Sequence, residues 1–310
     1  MTHNWFLIAL IAPVLWSIVN HIDKYLLSRH FKGAGLGAIF IFSAFFSLFV
    51  SLFVWFFEHV EILNISVWGA VSLLLIGMIN GLAFYFYLKA LNSEESSVVI
   101  PLFQMIPIFG YFLAYPILGE VLNSQQVLAS LIVIFGIIIL SIDFDIDNKK
   151  LSIRKNVLIL VALSSFLYAF HDVLFKAFTE EASFYLSTFW QYLGLFFTGV
   201  VFFIFHKKHR VNFVNLIKNN NIKVFSLNIV SEILYVLGSL ATNFATLLAP
   251  VAVVLVVSSY QPLFVFIGGT LLTVFLPAIS NERITLKHLI QKLLSIVIII
   301  IGSYLLYLAS

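Results

Sequence analysis

The stretch "LYAFHDVLFKAF" (167–178) places His171, Asp172 and Lys176 within two helical turns of an otherwise apolar run. An imidazole beside a carboxylate can exchange protons or hold an amine, and an ammonium can answer a carboxylate. A second apolar run carries Glu232 with no basic residue at i±3 or i±4. Asn20, Asn80, Gln104 and Gln261 stand in similar surroundings. A charge near the centre of a bilayer costs at least about 2.5–3.5 kcal/mol, so each such group needs a reason to be there. Asp172 and Lys176 are spaced i, i+4 and could simply neutralise one another. Lys24 lies near the end of its run, where a lysine can snorkel to the interface. His21 and His171 fit helix packing as well as ligand contact, and Glu120 and Glu282 fit the starts of helices. Glu232 resists such readings, because an unpaired carboxylate in lipid contact must be enclosed by a pocket.

These groups matter because the chain has so few others. Of 310 residues, 62% are hydrophobic and 10% charged, against roughly a quarter charged in soluble domains. That excess leaves no surface to keep the chain in water, and it implies an all-α integral membrane protein. A net charge of +3 gives no reason to expect nucleic acid, and the absence of cysteine removes disulfides and thiolate metal sites. A helix needs about 20 apolar residues to cross the hydrocarbon core. Ten stretches qualify, at about 5–27, 36–57, 68–90, 96–118, 124–142, 156–178, 184–205, 223–246, 250–275 and 287–308. Their apolar runs are continuous, which fits helices and not the alternating strands of a barrel. Trp5, Trp55, Trp68, Tyr304 and Tyr307 fall near span ends, where amphipathic rings favour the interface.

The ten spans repeat as five plus five. A shift of 152 lays "VLWSIVNHIDKYL" (14–26) over "FLYAFHDVLFKAF" (166–178), so that Trp16 meets Tyr168, Asn20 meets Asp172 and Lys24 meets Lys176. A shift of 155 lays Pro107 over Pro262 and Gly77 over Glu232, and Glu120 aligns with Glu282 after a short insertion. Five is odd, so the second unit must sit inverted. The cations agree: counted by loop, 16 of the 17 Lys and Arg residues fall on one face, and only Lys176 falls on the other. Cationic loops stay cytoplasmic, which predicts both termini outside a cell (inner) membrane. Inverted repeats are typical of secondary transporters. The expected units are 1–148 and 149–310.

Several segments resemble the EamA-type proteins of the drug/metabolite transporter superfamily. They are "LWSIVNHIDK" (15–24), "YLKALNSEESSVVIPLFQMIPIFGYFLAYPILGE" (87–120) and "NERIT" (281–285). The resemblance implies alternating access by two inverted halves around a pocket lined mainly by spans 1, 3, 4, 6, 8 and 9. Family members often keep their termini cytoplasmic, which the cations here oppose. On those spans, Trp16, Asn20 and Lys24 share a stripe, as do Tyr168, Asp172 and Lys176. Span 8 adds Glu232 and Tyr235, span 3 adds Asn80 and span 4 adds Gln104. These residues are the candidates for binding substrate or proton; no cofactor or metal is expected.

The chain has no HExxH, GxSxG or Walker pattern, and "GAGLGA" (33–38) follows no strand, so neither an enzyme nor a primary pump is indicated. The expected function is secondary transport of a small polar or amphipathic metabolite, such as an amino acid or other amine-bearing solute, with proton coupling open. A flippase for a lipid or lipid-linked head group is the alternative. The expected partners are that solute and the lipid bilayer, and a homodimer is left open.

Overall fold

The computed structural model describes residues 4–29, 36–93, 99, 102–141, 155–180, 182–219, 222–275 and 286–309. Glu282, the rest of "NERIT" before Leu286, the loop cations of 143–154 and the side chain of Lys24 lie outside the described set. Twelve α-helices account for nearly all of it: α1 (Asn4–Arg29), α2 (Leu36–Leu63), α3 (Val67–Ser93), α4 (Met105–Leu118), α5 (Ser124–Ser141), α6 (Lys155–Thr179), α7 (Phe184–Phe205), α8 (Lys207–Asn219), α9 (Ile222–Leu248), α10 (Val251–Ser258), α11 (Gln261–Phe275) and α12 (Leu286–Ala309). Eight segments, α10 and α11 counting as one, are long and apolar enough to cross a membrane, whereas α4 and α5 are apolar but shorter. Large apolar side chains point outward along these helices, among them Phe49, Phe53, Phe56, Phe112 and Leu131. That surface suits lipid and makes this a multi-pass membrane protein.

Two of the anticipated spans are broken. Span 4, expected over 96–118, is helical from Met105 after a turn at residues 103–104, and span 9 is split at Ser259 and Tyr260. Pro107 and Pro262 are the third and second residues of α4 and α11. A proline in the first turn has no intrahelical bond to lose, so both mark the restart of a helix. The polar connection at 206–223 also holds a helix, α8, which buries Phe213 and Leu216 against the core. Gly37 at the start of α2 lies against His209 of α8. Burial, with His206 and Lys208 beside it, holds the His209 imidazole below its ordinary range. Trp5 is 1% exposed within the bundle, so it is a core residue and not an interfacial anchor.

Apolar faces give helices no reason to associate in lipid, so close backbone approach and interhelical hydrogen bonds must hold the bundle. α1 packs along α9, α2 along α7, α5 along α12, and α3 against both α6 and α7. At the α3–α7 seam the backbones touch. A Cβ at Gly77 would stand 1.9 Å from the Gln191 carbonyl oxygen, and one at Gly194 2.0 Å from that of Leu74. Ser47 donates to the carbonyl of Tyr192 at 2.9 Å, Ser51 to that of Phe189 at 3.2 Å and Ser164 to that of Ala83 at 2.8 Å. Small residues therefore set the positions of α3, α6 and α7 around the centre.

Gly77→Ala and Gly194→Ala should each destabilise by about 1–3 kcal/mol, since backbone must move to admit a methyl group. Gly69→Ala, which meets only the side chains of Ile65 and Ser66, is the control. Thermal unfolding in detergent should rank the three accordingly.

Candidate functional site

Glu232, half-buried on α9, accepts a short hydrogen bond from the Ser43 hydroxyl on α2. The two line a cavity between α2, α3, α7 and α9, together with Ser47, Asn80, Phe84, Tyr192 and Tyr235. Among the described residues, no lysine or arginine lines it. Asn80 is 8% exposed, faces this cavity and has no hydrogen-bond partner among the described residues. The cavity volume is about 20 Å³, which is room for little more than a water molecule.

An aromatic shell extends from this point. Trp16 stacks on Tyr235 with ring centroids 6.0 Å apart, and its Nε1 donates to the Tyr235 carbonyl at 3.2 Å. Gly238 makes this possible, because a Cβ there would stand 2.6 Å from Nε1. Phe84 lies 6.2 Å from Tyr235 and 6.3 Å from Tyr87. Tyr168 is half-buried on α6. The interrupted helix is tied in as well, since Gln261 at the start of α11 donates to the Trp16 carbonyl at 3.3 Å.

The remaining candidates gather elsewhere. His171 Nδ1 lies 2.8 Å from Asp172 Oδ1, and the imidazole stacks on Phe175. Both residues are buried, and His171 Nε2 has no partner among the described residues. The pairing of Asp172 with Lys176 that their spacing allows is not formed. Lys176 Nζ instead lies 2.6 Å from Glu120 and donates to the Ala249 carbonyl at 3.1 Å. Gly119 explains how Glu120 gets there: at φ 68° it ends α4 in a left-handed turn, which a residue without Cβ adopts freely. The other oxygen of Glu120 accepts the Val251 N–H at 2.8 Å and so caps α10 across the bundle. Asn20 is half-buried on α1, and Gln104, 4% exposed, precedes α4 with its Oε1 unpartnered among the described residues.

Sequence reasoning passed over four contributors. Asp23 accepts a hydrogen bond from Ser231 at 2.8 Å, so consecutive residues of α9 fasten α1 and α2. Its signal was present, since the 152-residue shift lays it over Phe175 and breaks the repeat. Ser43 and Ser47 read as a packing stripe, and Tyr192 carries no charge to draw notice. All three belong to α2 and α7, helices that the resemblance leaves out of the pocket.

A carboxylate, an amide and aromatic faces without a cation are suited to holding an ammonium, by charge-assisted hydrogen bonds and by the negative faces of the rings. Among the described residues, no group of three or more His, Asp or Glu could hold a metal.

Residues 3–142 match the EamA-like transporter family. No curated protein matches the sequence. One solved crystal structure, described only as that of a protein, superposes with a TM-score of 0.68 over 97% of this chain and 96% of that one. At 14% identity the likeness shows the fold alone.

Lys176→Met should cost about 3–5 kcal/mol, because it strands the Glu120 carboxylate in a buried position. The double change with Glu120→Gln should recover most of that loss. Equal melting of the single variant and the wild type would show that the pair contributes nothing.

Proposed function

We propose, from the premise that residues 3–142 are an EamA-like transporter family domain, that this chain is a secondary transporter of small amine-bearing solutes. Members of that family move small solutes across membranes and are not enzymes. The single observation carrying the substrate class is Glu232, a membrane-embedded carboxylate in a cavity whose other polar walls are hydroxyls and an amide. Glu232 binds the ammonium, Tyr192, Tyr235 and Phe84 give it aromatic faces, and Asn80 is free to orient a second polar group.

Transport proceeds by alternating access of two inverted halves, 1–148 and 149–310, with both termini extracytoplasmic and a proton gradient as the drive. The helix pairing supports this. α1 packs on α9 as α6 packs on α3, and α6 packs on α4 as α1 packs on α10 and α11, which are the pairs an inverted two-fold would generate. The halves differ at one seam. Where α3 and α7 close on bare glycine, the equivalent position on α9 carries Glu232, which reaches α2 through its side chain. A cavity of about 20 Å³ is a contracted state, and a solute enters when the α2–α9 contact parts.

A thermal-shift screen against amines, zwitterions and carboxylic acids tests the reading. Saturating ligand at 100 times its Kd stabilises the folded state by about 2.7 kcal/mol. Amine-bearing compounds should raise the melting temperature and the corresponding acids should not. Glu232→Gln should abolish the shift while leaving the unliganded melting point close to that of wild type. An undiminished shift in Glu232→Gln would remove the proposed site. Independently, a C-terminal reporter that is active only in the cytoplasm should be silent.

A further inference from the structure

We propose that the outward face of α8 is a binding site for the head groups of anionic phospholipids. The inference does not depend on which solute the chain carries. Its first support is charge. The connection 206–223 holds Lys207, Lys208, Arg210, Lys218 and Lys223 and no acidic residue. Retention on one side of a membrane asks only for that composition. Here the cations are also set on a folded helix, which fixes their spacing. Lys207, Val211 and Lys218 stand at i, i+4 and i+11, so they share one stripe of α8, and Lys208 lies beside it. All four are exposed. Among the described residues, no acid pairs with any of these three lysines.

Its second support is depth. α8 is folded back onto the ends of two spanning helices and does not stand off in water. The Phe213 ring lies 5.5 Å from Phe45 of α2 and 6.0 Å from Phe203 of α7. One turn earlier His209 meets Gly37 of α2, and Leu216 is buried in the same cluster as Phe213. Phe203 belongs to the apolar stretch of α7 whose outward side chains include Val201, Ile204 and Phe205. The helix therefore lies where hydrocarbon gives way to head groups. The Arg210 guanidinium, 6.0 Å from the Phe203 ring, is held at the same level.

The third support decides the kind of partner. Val211 and Ile217 are exposed apolar side chains set among the cations. A soluble polyanion gives them nothing, whereas a phospholipid presents phosphate and acyl chain together. Each Lys or Arg close to an anionic leaflet strengthens the attraction by about fivefold. The site also bears on the cavity. α8 follows α7, precedes α9 and packs on α2, and Phe45 is two residues beyond Ser43. Head groups held by α8 thus steady three of the four helices around Glu232, and the folded state gains stability as the lipid binds.

The test titrates the full-length protein in a neutral detergent with dioctanoyl phosphatidylglycerol and follows thermal unfolding. The lipid should raise the melting temperature saturably, and added salt should weaken the effect. Dioctanoyl phosphatidylcholine has the same chains without the net charge, and inorganic phosphate has the charge without the chains; neither should shift it. Lys207→Gln, Lys208→Gln and Lys218→Gln together should leave the lipid-free melting temperature close to that of wild type. They should raise the half-saturating phosphatidylglycerol concentration by at least about tenfold. Lys149→Gln, Lys150→Gln and Arg154→Gln, which remove as many cations from the other long polar connection, should leave it unchanged. Location is read with the lysines intact. The chain contains no cysteine, so Val211→Cys takes a single environment-sensitive fluorophore. Its emission should shift to the blue in liposomes of equal parts phosphatidylglycerol and phosphatidylcholine relative to phosphatidylcholine alone. An equal melting shift from phosphatidylcholine or phosphate would overturn the proposal, as would an unaltered titration in the α8 variant. Equal weakening in the 149–154 variant would reduce the effect to bulk charge, and unmoved emission would place the lipid elsewhere; either also overturns it. Failure of every amine to shift the melting point would remove the amine-transport reading and leave this site standing.

Discussion

An ionisable carboxylate inside a hydrocarbon slab must be surrounded by protein, and Glu232 imposes that demand on four helices at once. α2 supplies the Ser43 hydroxyl, α3 the Asn80 amide, α7 the Tyr192 ring and α9 the backbone that carries the acid. For these groups to converge, α3 and α7 must approach until glycine meets carbonyl oxygen, and α1 must lay Trp16 into the notch at Gly238. The small-residue seams thus do more than hold helices together in lipid, where apolar faces alone give no preference. They bring polar side chains close enough to enclose a charge.

The same demand is met differently for the second buried ion. Lys176 sits where Glu120, the Ala249 carbonyl and the capped start of α10 converge. That arrangement links the α4–α5 connection to α6 and to the α9–α10 connection. It uses up the lysine's charge, and the His171–Asp172 pair stands apart from it one turn away. Position on α6 separates the charged groups: Asp172 meets its histidine, and Lys176 ends at the connecting loops.

Much of the fold was legible because continuous apolar runs report spans directly. The breaks were not, since a proline at the first turn of a restarted helix has the same sequence signature as one at a bend; only the turns at residues 103–104 and at Ser259–Tyr260 distinguish them. α8 was hidden in a polar connection because a short amphipathic helix buries only a narrow face, here Phe213 and Leu216. In the site, Glu232 stood out because nothing at helical spacing could neutralise it. Glu120 as the partner of Lys176 did not, because the two are 56 residues apart and no periodicity connects them. Asp23 was obscured by the adjacent Lys24, and Ser43, Ser47 and Tyr192 by being uncharged residues on helices with ordinary packing patterns.

The central claim is that Glu232 recognises a positive nitrogen and that shape alone does not suffice. Calorimetric titration of the purified protein with a stabilising amine, and then with the alcohol in which a hydroxyl replaces that amino group, tests it most directly. The account predicts saturable binding of the amine to wild type, no measurable binding of the alcohol, and loss of amine binding in Glu232→Gln. Equal affinity for amine and alcohol in wild type would contradict it, because the carboxylate would then contribute nothing to recognition.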